Sequence, residues 1–377
     1  MATIYFDNAA TTSLDPEVLE VMMPFLTNKF GNPSAVYSYG RETKLGIETA
    51  RKTVAKILGC TPGEIFFTSG GTESSNTAIN RAVRDLGCKH IITSPIEHHA
   101  TLYTAEHLAK TGEAKLSLVK LTDNGHIDLN NLEELLAGSE EKTLVTLMHA
   151  NNEIGNLLDV KAVGELCEKY GALFHCDMVQ TIGHYPLNLK ELKVHFASSA
   201  GHKFHGPKGV GVLFIDDSIK ITPMIYGGSQ ERNMRAGTEN LYGIIGYAKA
   251  LEKATEGYET YRAHVEGIKT YMAEQLKANF ADIRFNGDTN GRCLYTVLNV
   301  AFPKTDKSDM LLFNLDMAGI CVSGGSACSS GASSVSHVIQ ALYGSEGENL
   351  IPIRFSFSHP NTKEEVDFVV SKLKEIV

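Results

Sequence analysis

Between about residues 61 and 216, short apolar runs alternate with stretches whose apolar residues recur at helical spacing. The runs at 65–67, 90–93, 115–119, 144–148, 173–176 and 210–215 read as strands, and 72–86 and 160–170 read as helices between them. That alternation predicts a mostly parallel sheet covered on both faces, in which ligands collect beyond the carboxyl ends of the strands. Past Thr238 the period becomes helical from Asn240 to about Phe280, with many charges and few breakers. Strand-like runs at 296–302, 320–323 and 353–357 follow, with helices at 308–318 and from Thr362 onward. The expected architecture is therefore α/β, with a large domain over 15–255. A smaller α+β domain would be built from 1–14 and 256–377.

Composition narrows the function more than the fold. A chain of 377 residues, 43% hydrophobic, can bury a substantial core and exceeds the usual size of one domain. Its net charge of −9 argues against nucleic acid or an anionic membrane as partner, since both reward a basic face. No segment has the pattern of a signal peptide or a spanning helix, so a cytoplasmic protein with a small-molecule substrate is expected. Seven scattered cysteines without a Cys-x-x-Cys pair suggest neither a disulfide framework nor a metal site.

Candidate chemistry clusters just after the strands. Lys203 lies in Ser-Ser-Ala-Gly-His-Lys-Phe-His-Gly-Pro-Lys-Gly, and Asp177 closes the apolar run Ala-Leu-Phe-His-Cys-Asp. An amine for a Schiff base and an acid that keeps a pyridine nitrogen protonated are what pyridoxal phosphate chemistry requires. Gln180, three positions after that acid, can donate to a ring oxygen. Gly71 and Thr72 in Thr-Ser-Gly-Gly-Thr-Glu offer an amide and a hydroxyl where a helix begins; a phosphate seat and an ordinary capped turn both fit. His98 in Ile-Glu-His-His-Ala could stack on a ring and exchange protons, or be a plain loop histidine. Asn152 in His-Ala-Asn-Asn-Glu suits a phenolic oxygen of the cofactor, a substrate carboxylate or a turn. Arg354, flanked by apolar residues, must be paired, either with a substrate carboxylate or with an internal acid. Cys328 in Ser-Gly-Gly-Ser-Ala-Cys-Ser-Ser-Gly is surrounded by small residues and reads as an exposed nucleophile ahead of a plain flexible-linker cysteine.

These segments, with Tyr-Phe-Asp-Asn-Ala-Ala-Thr-Thr at 5–12, Phe-Gly-Asn-Pro-Ser at 30–34 and Met-Arg-Ala-Gly-Thr-Glu-Asn at 234–240, resemble the class V aminotransferase superfamily. Within it the match is to the cysteine desulfurases, in the group with a long catalytic-cysteine loop. The resemblance implies the type I fold of pyridoxal phosphate-dependent transferases and an enzyme that converts L-cysteine to L-alanine. Its sulfur would pass as a persulfide on Cys328 to a protein or small-thiol acceptor, for iron-sulfur cluster or other thio-cofactor synthesis. Lys203 would carry pyridoxal 5'-phosphate, Asp177 would pair with its ring nitrogen, Gln180 would contact the ring oxygen and His98 would stack on the ring. Gly71, Thr72 and His202 would hold the phosphate, joined by Thr238 from the second subunit of a homodimer. Asn152 and Arg354 would hold the substrate carboxylate. One departure is Ala200, three residues before Lys203, where relatives often carry a serine; that phosphate contact is then missing or moved to Ser199. Alternatives are a selenocysteine lyase and a cofactor-free sulfur-carrier scaffold.

Overall fold

The computed structural model describes residues 3–305, 310–324 and 336–377. Its elements begin with β1 (Ile4–Tyr5), α1 (Pro16–Thr27), α2 (Ser38–Ile57), β2 (Ile65–Thr68), α3 (Gly71–Arg84), β3 (His90–Thr93), α4 (His99–Lys110), β4 (Lys115–Leu118) and α5 (Leu129–Ala137). Next come β5 (Thr143–Met148), α6 (Val160–Tyr170), β6 (Leu173–Asp177), β7 (Phe196–Ala200), β8 (Gly211–Ile215), α7 (Leu241–Glu256) and α8 (Tyr258–Asn279). The chain closes with β9 (Arg284–Phe285), β10 (Val297–Pro303), α9 (Leu311–Met317), β11 (Ile320–Cys321), α10 (His337–Tyr343), β12 (Leu350–Ser356) and α11 (Lys363–Ile376).

Seven strands form the large sheet in the order β2-β8-β7-β6-β5-β3-β4. Only β8 runs against its neighbours, so the other six end at one edge, and their following loops meet there. Both faces are covered, which explains the unbroken apolar runs. Phe67, Phe174, Cys176, Val212 and Phe214 face the core shared with α1, α2 and α7. Ile91, Leu144, Phe196 and Leu213 face α3 and α4 on the other side. A separate core joins Ile4 and Phe6 to α8, β10, β12 and α11.

Two expectations are corrected. The strand that leads to Lys203, β7, is absent from the sequence reading because Phe-Ala-Ser-Ser-Ala has too few apolar residues to resemble a strand. Its small side chains instead form buried hydroxyl contacts: the Ser75 hydroxyl on α3 donates to Ser198 at 3.1 Å, and Ser199 pairs with Tyr247 on α7. The helical stretch 240–280 is two helices, broken at Gly257, because α7 buries Leu241, Ile244 and Leu251 in the first core while α8 buries Val265, Ile268 and Met272 in another. Periodicity alone carries no sign of that change of partner.

Candidate active site

At the shared edge of the sheet lies a cavity of about 270 Å³, lined by Gly71, Thr72, His98, Asn152, Asp177, Gln180, His202, Lys203 and Arg354 together with Ala9, Ala10 and Ala200. Each side chain arrives by a local rule. Gly70, with φ +152°, lets β2 turn straight into α3, so the amides that open α3 face the cavity. A Cβ on Gly71 would stand 2.5 Å from Val179 Cγ2, so the turn after β6 and the start of α3 are packed without space for one.

Asp177 ends β6, buried at the cavity wall, with one carboxylate oxygen accepting from the Val179 amide at 3.0 Å. Burial pushes its carboxyl up to about 6, against the Val179 hydrogen bond and nearby Lys203, which pull it down. A buried acid in that condition favours a cationic neighbour. Lys203 stands one short turn after β7, and its Nζ donates to the carbonyl oxygens of Ala9 at 2.7 Å and Ala10 at 2.8 Å. Gln180 Nε2 donates to the same Ala9 oxygen at 3.0 Å.

His98 caps α4: its Nδ1 accepts from the Ala100 amide at 3.1 Å, which leaves the hydrogen on Nε2. Burial, followed by the nearby Lys203 charge, lowers its pKa to about 4, so the ring is neutral at physiological pH. His202, likewise lowered to about 4 by burial and Lys203, shares a hydrogen bond of 3.1 Å with Thr11. Arg354, on β12, donates from Nη1 to the Asn152 carbonyl oxygen at 2.9 Å and from Nη2 to Asp7 at 2.7 Å. The internal acid considered as its partner is thus Asp7, while the guanidinium still lines the cavity.

Thr238 is not brought into this cavity; it is exposed and lines a different cleft with Arg235, Glu239 and Asn240. Ser199 cannot replace the missing serine contact, because strand alternation turns its hydroxyl away from Ala200's side and into Tyr247. Cys328 lies outside the described residues. The sequence reading missed the part played by the segment 7–12. Its motif was visible, but only the fold lays Asp7 on Arg354, the Ala9 and Ala10 carbonyls on Lys203, and Thr11 on His202. It also missed His184, whose Nε2 lies 3.0 Å from the Lys203 carbonyl oxygen.

A family model described as aminotransferase class-V matches residues 4–369. The chain belongs to the class-V aminotransferase family. Among its curated relatives, the cysteine desulfurase IscS of Dictyoglomus turgidum is 41% identical over 99% of this chain and 94% of its own. The putative cysteine desulfurase IscS 1 of Bacillus subtilis is 40% identical over 100% of this chain and 99% of its own. Among solved structures, a NifS-like protein superposes with a TM-score of 0.91 at 38% identity, covering 99% of both chains. The apo cysteine desulfurase from Thermococcus onnurineus NA1 gives 0.88 at 27% identity, covering 100% of this chain and 94% of its own. The expected α/β fold, membership of this family and enzymatic character are borne out. No helix among the described residues is long and apolar enough to cross a membrane.

Proposed function

We propose that this cavity removes sulfur from L-cysteine with pyridoxal phosphate as cofactor, leaving alanine. One observation carries the reading: a buried acid with a raised pKa, Asp177, shares a cavity with a lysine amine and with the opening amides of α3. That donor set fits the three polar parts of pyridoxal phosphate, its ring nitrogen, aldehyde and phosphate. When bound, the cofactor supplies an electron sink for the bonds at the substrate's α carbon.

The chain's own groups then have separate tasks. Asp177 would keep the ring nitrogen protonated, Gln180 would donate to the ring oxygen, and His98 would stack on the ring. Gly71, Thr72 and His202 would hold the phosphate, and Thr238 of a second copy would complete the seat in a homodimer. Asn152 and Arg354 orient the substrate carboxylate. The Lys203 amine removes the α proton. The Cys328 thiolate attacks the substrate sulfur, so that a carbon–sulfur bond breaks and a sulfur–sulfur bond forms. The carbon fragment takes up a proton, with the neutral His98 ring placed to relay it, and leaves as alanine. A thiol acceptor collects the persulfide sulfur. A cytoplasmic location is part of this reading, as is a division into a cofactor domain over 15–255 and a smaller domain of 1–14 and 256–377.

The test pairs two variants. Lys203→Ala should lose both turnover and the visible absorption of the loaded protein, whereas Cys328→Ser should keep the absorption and lose sulfide release. Mass spectrometry of the parent after L-cysteine treatment should find one added sulfur on Cys328. Parental sulfide release by the Cys328 variant would remove that residue from the scheme.

A further inference from the structure

Arg354 already has a carboxylate. Its side chain is 2% exposed, Nη2 donates to Asp7 Oδ1 at 2.7 Å, and the buried Nε has no partner among the described residues. Asp7 is held there by backbone as well as by charge. It is bridged to Ser356, two residues beyond Arg354 on the same strand, and the Ser356 amide donates to the Phe6 carbonyl at 2.7 Å. The acid therefore stays beside the guanidinium whether or not the ion pair is at full strength.

A guanidinium binds a carboxylate best through two parallel N–H donors and an uncompensated positive charge. Here one donor and much of the charge are committed to Asp7, and another donor to the Asn152 carbonyl. We propose that Asp7 is a resident competitor that sets how weakly this site holds a free amino-acid carboxylate. The proposal rests on the assignment of Arg354 to the substrate carboxylate made above. Its consequence for the reaction follows from the chemistry of the two ligands. Substrate and alanine product carry the same carboxylate, so an undiminished Arg354 would grip both alike, and such uniform binding does not speed turnover. A partly neutralised guanidinium orients the carboxylate and still lets the product go.

Asp7→Asn keeps an oxygen acceptor for Nη2 and removes the charge. The probe is 3-mercaptopropionate, which has the thiol and carboxylate of cysteine without the amine. In cofactor-loaded protein its dissociation constant, measured by isothermal titration calorimetry, should fall roughly three- to tenfold in the variant. KM for L-cysteine should fall with it, while the melting temperature drops because Arg354 has lost its counter-charge. A purely structural Asp7 would weaken binding and stability together, so unchanged or weaker binding overturns the proposal. Asp7→Ser serves as a second variant; if neither variant folds and retains cofactor, Asp7 is a folding residue and the proposal falls. Arg354→Ala separates the two levels of argument. Probe binding that is lost in Arg354→Ala but parental in Asp7→Asn overturns only the role of Asp7, whereas binding indifferent to Arg354→Ala overturns the substrate assignment.

Discussion

Asp177 shows how burying a single carboxyl lowers stability. Its ordinary pKa of 3.8 is raised to about 6 by burial, so between those values the folded chain binds more protons than the unfolded one. Stability therefore falls as pH rises through that window, and the full loss, on the order of 2–3 kcal/mol, is present above it. Asp177→Asn should raise the melting temperature of cofactor-free protein by roughly 3–5 °C at pH 7.5 and by little at pH 4. The same variant should lose cofactor on dialysis. Calorimetry and absorption spectra check the two halves, and a variant that is less stable at pH 7.5 would contradict the assigned strain. Glu97, beside His98, is a second buried acid, raised to about 8 by burial against the Ser94 hydrogen bond that lowers it. Neither shift is readable from residue type, since an acid at the end of an apolar run could as well be a helix cap.

At the scale of elements, the site depends on the junctions between strands and helices. The turn after β2 and the turn after β6 touch through Gly71 and Val179, whose amide holds Asp177. Gly71→Ala would force a Cβ into Val179 and shift that amide, so cofactor affinity should drop on the order of tenfold with only a modest loss of melting temperature. Spectroscopic titration with pyridoxal phosphate reads this directly; parental affinity would show that the two turns are not coupled. Most strands and helices were legible because their apolar periods are strong. Strand β7 was not, since its serines satisfy themselves through Ser75, His175 and Tyr247 on other elements. The division of α7 from α8 was equally hidden, because it reflects which core each helix faces.

At the scale of the whole molecule, the protein buries many neutral imidazoles. Burial lowers His98, His149, His202 and His205 to about 4 and His175 to about 3. A depressed histidine contributes stability that is complete above about 6.5 and lost as pH falls toward the folded value, because only the unfolded chain takes up the proton. Asp177 and Glu97 act in the opposite sense over the same range, but the histidines outnumber them. Thermal melts of cofactor-free protein should therefore shift steadily downward from pH 7 to pH 5. A flat profile would mean that these rings are hydrated in solution.

What the residues alone determined was most of the strands and helices, the family, and the candidacy of Lys203, Asp177, His98, Gln180 and Arg354, because each depends on local pattern or on a contiguous motif. What only the tertiary structure decided was which distant groups share a cavity. The parallel strands bring their ends to one edge, the amino-terminal segment closes over Lys203 and lays Asp7 on Arg354, and Ser199 turns away from the site. Those relations are set by sheet register and by packing between residues hundreds of positions apart in the chain, distances over which sequence periodicity holds no information.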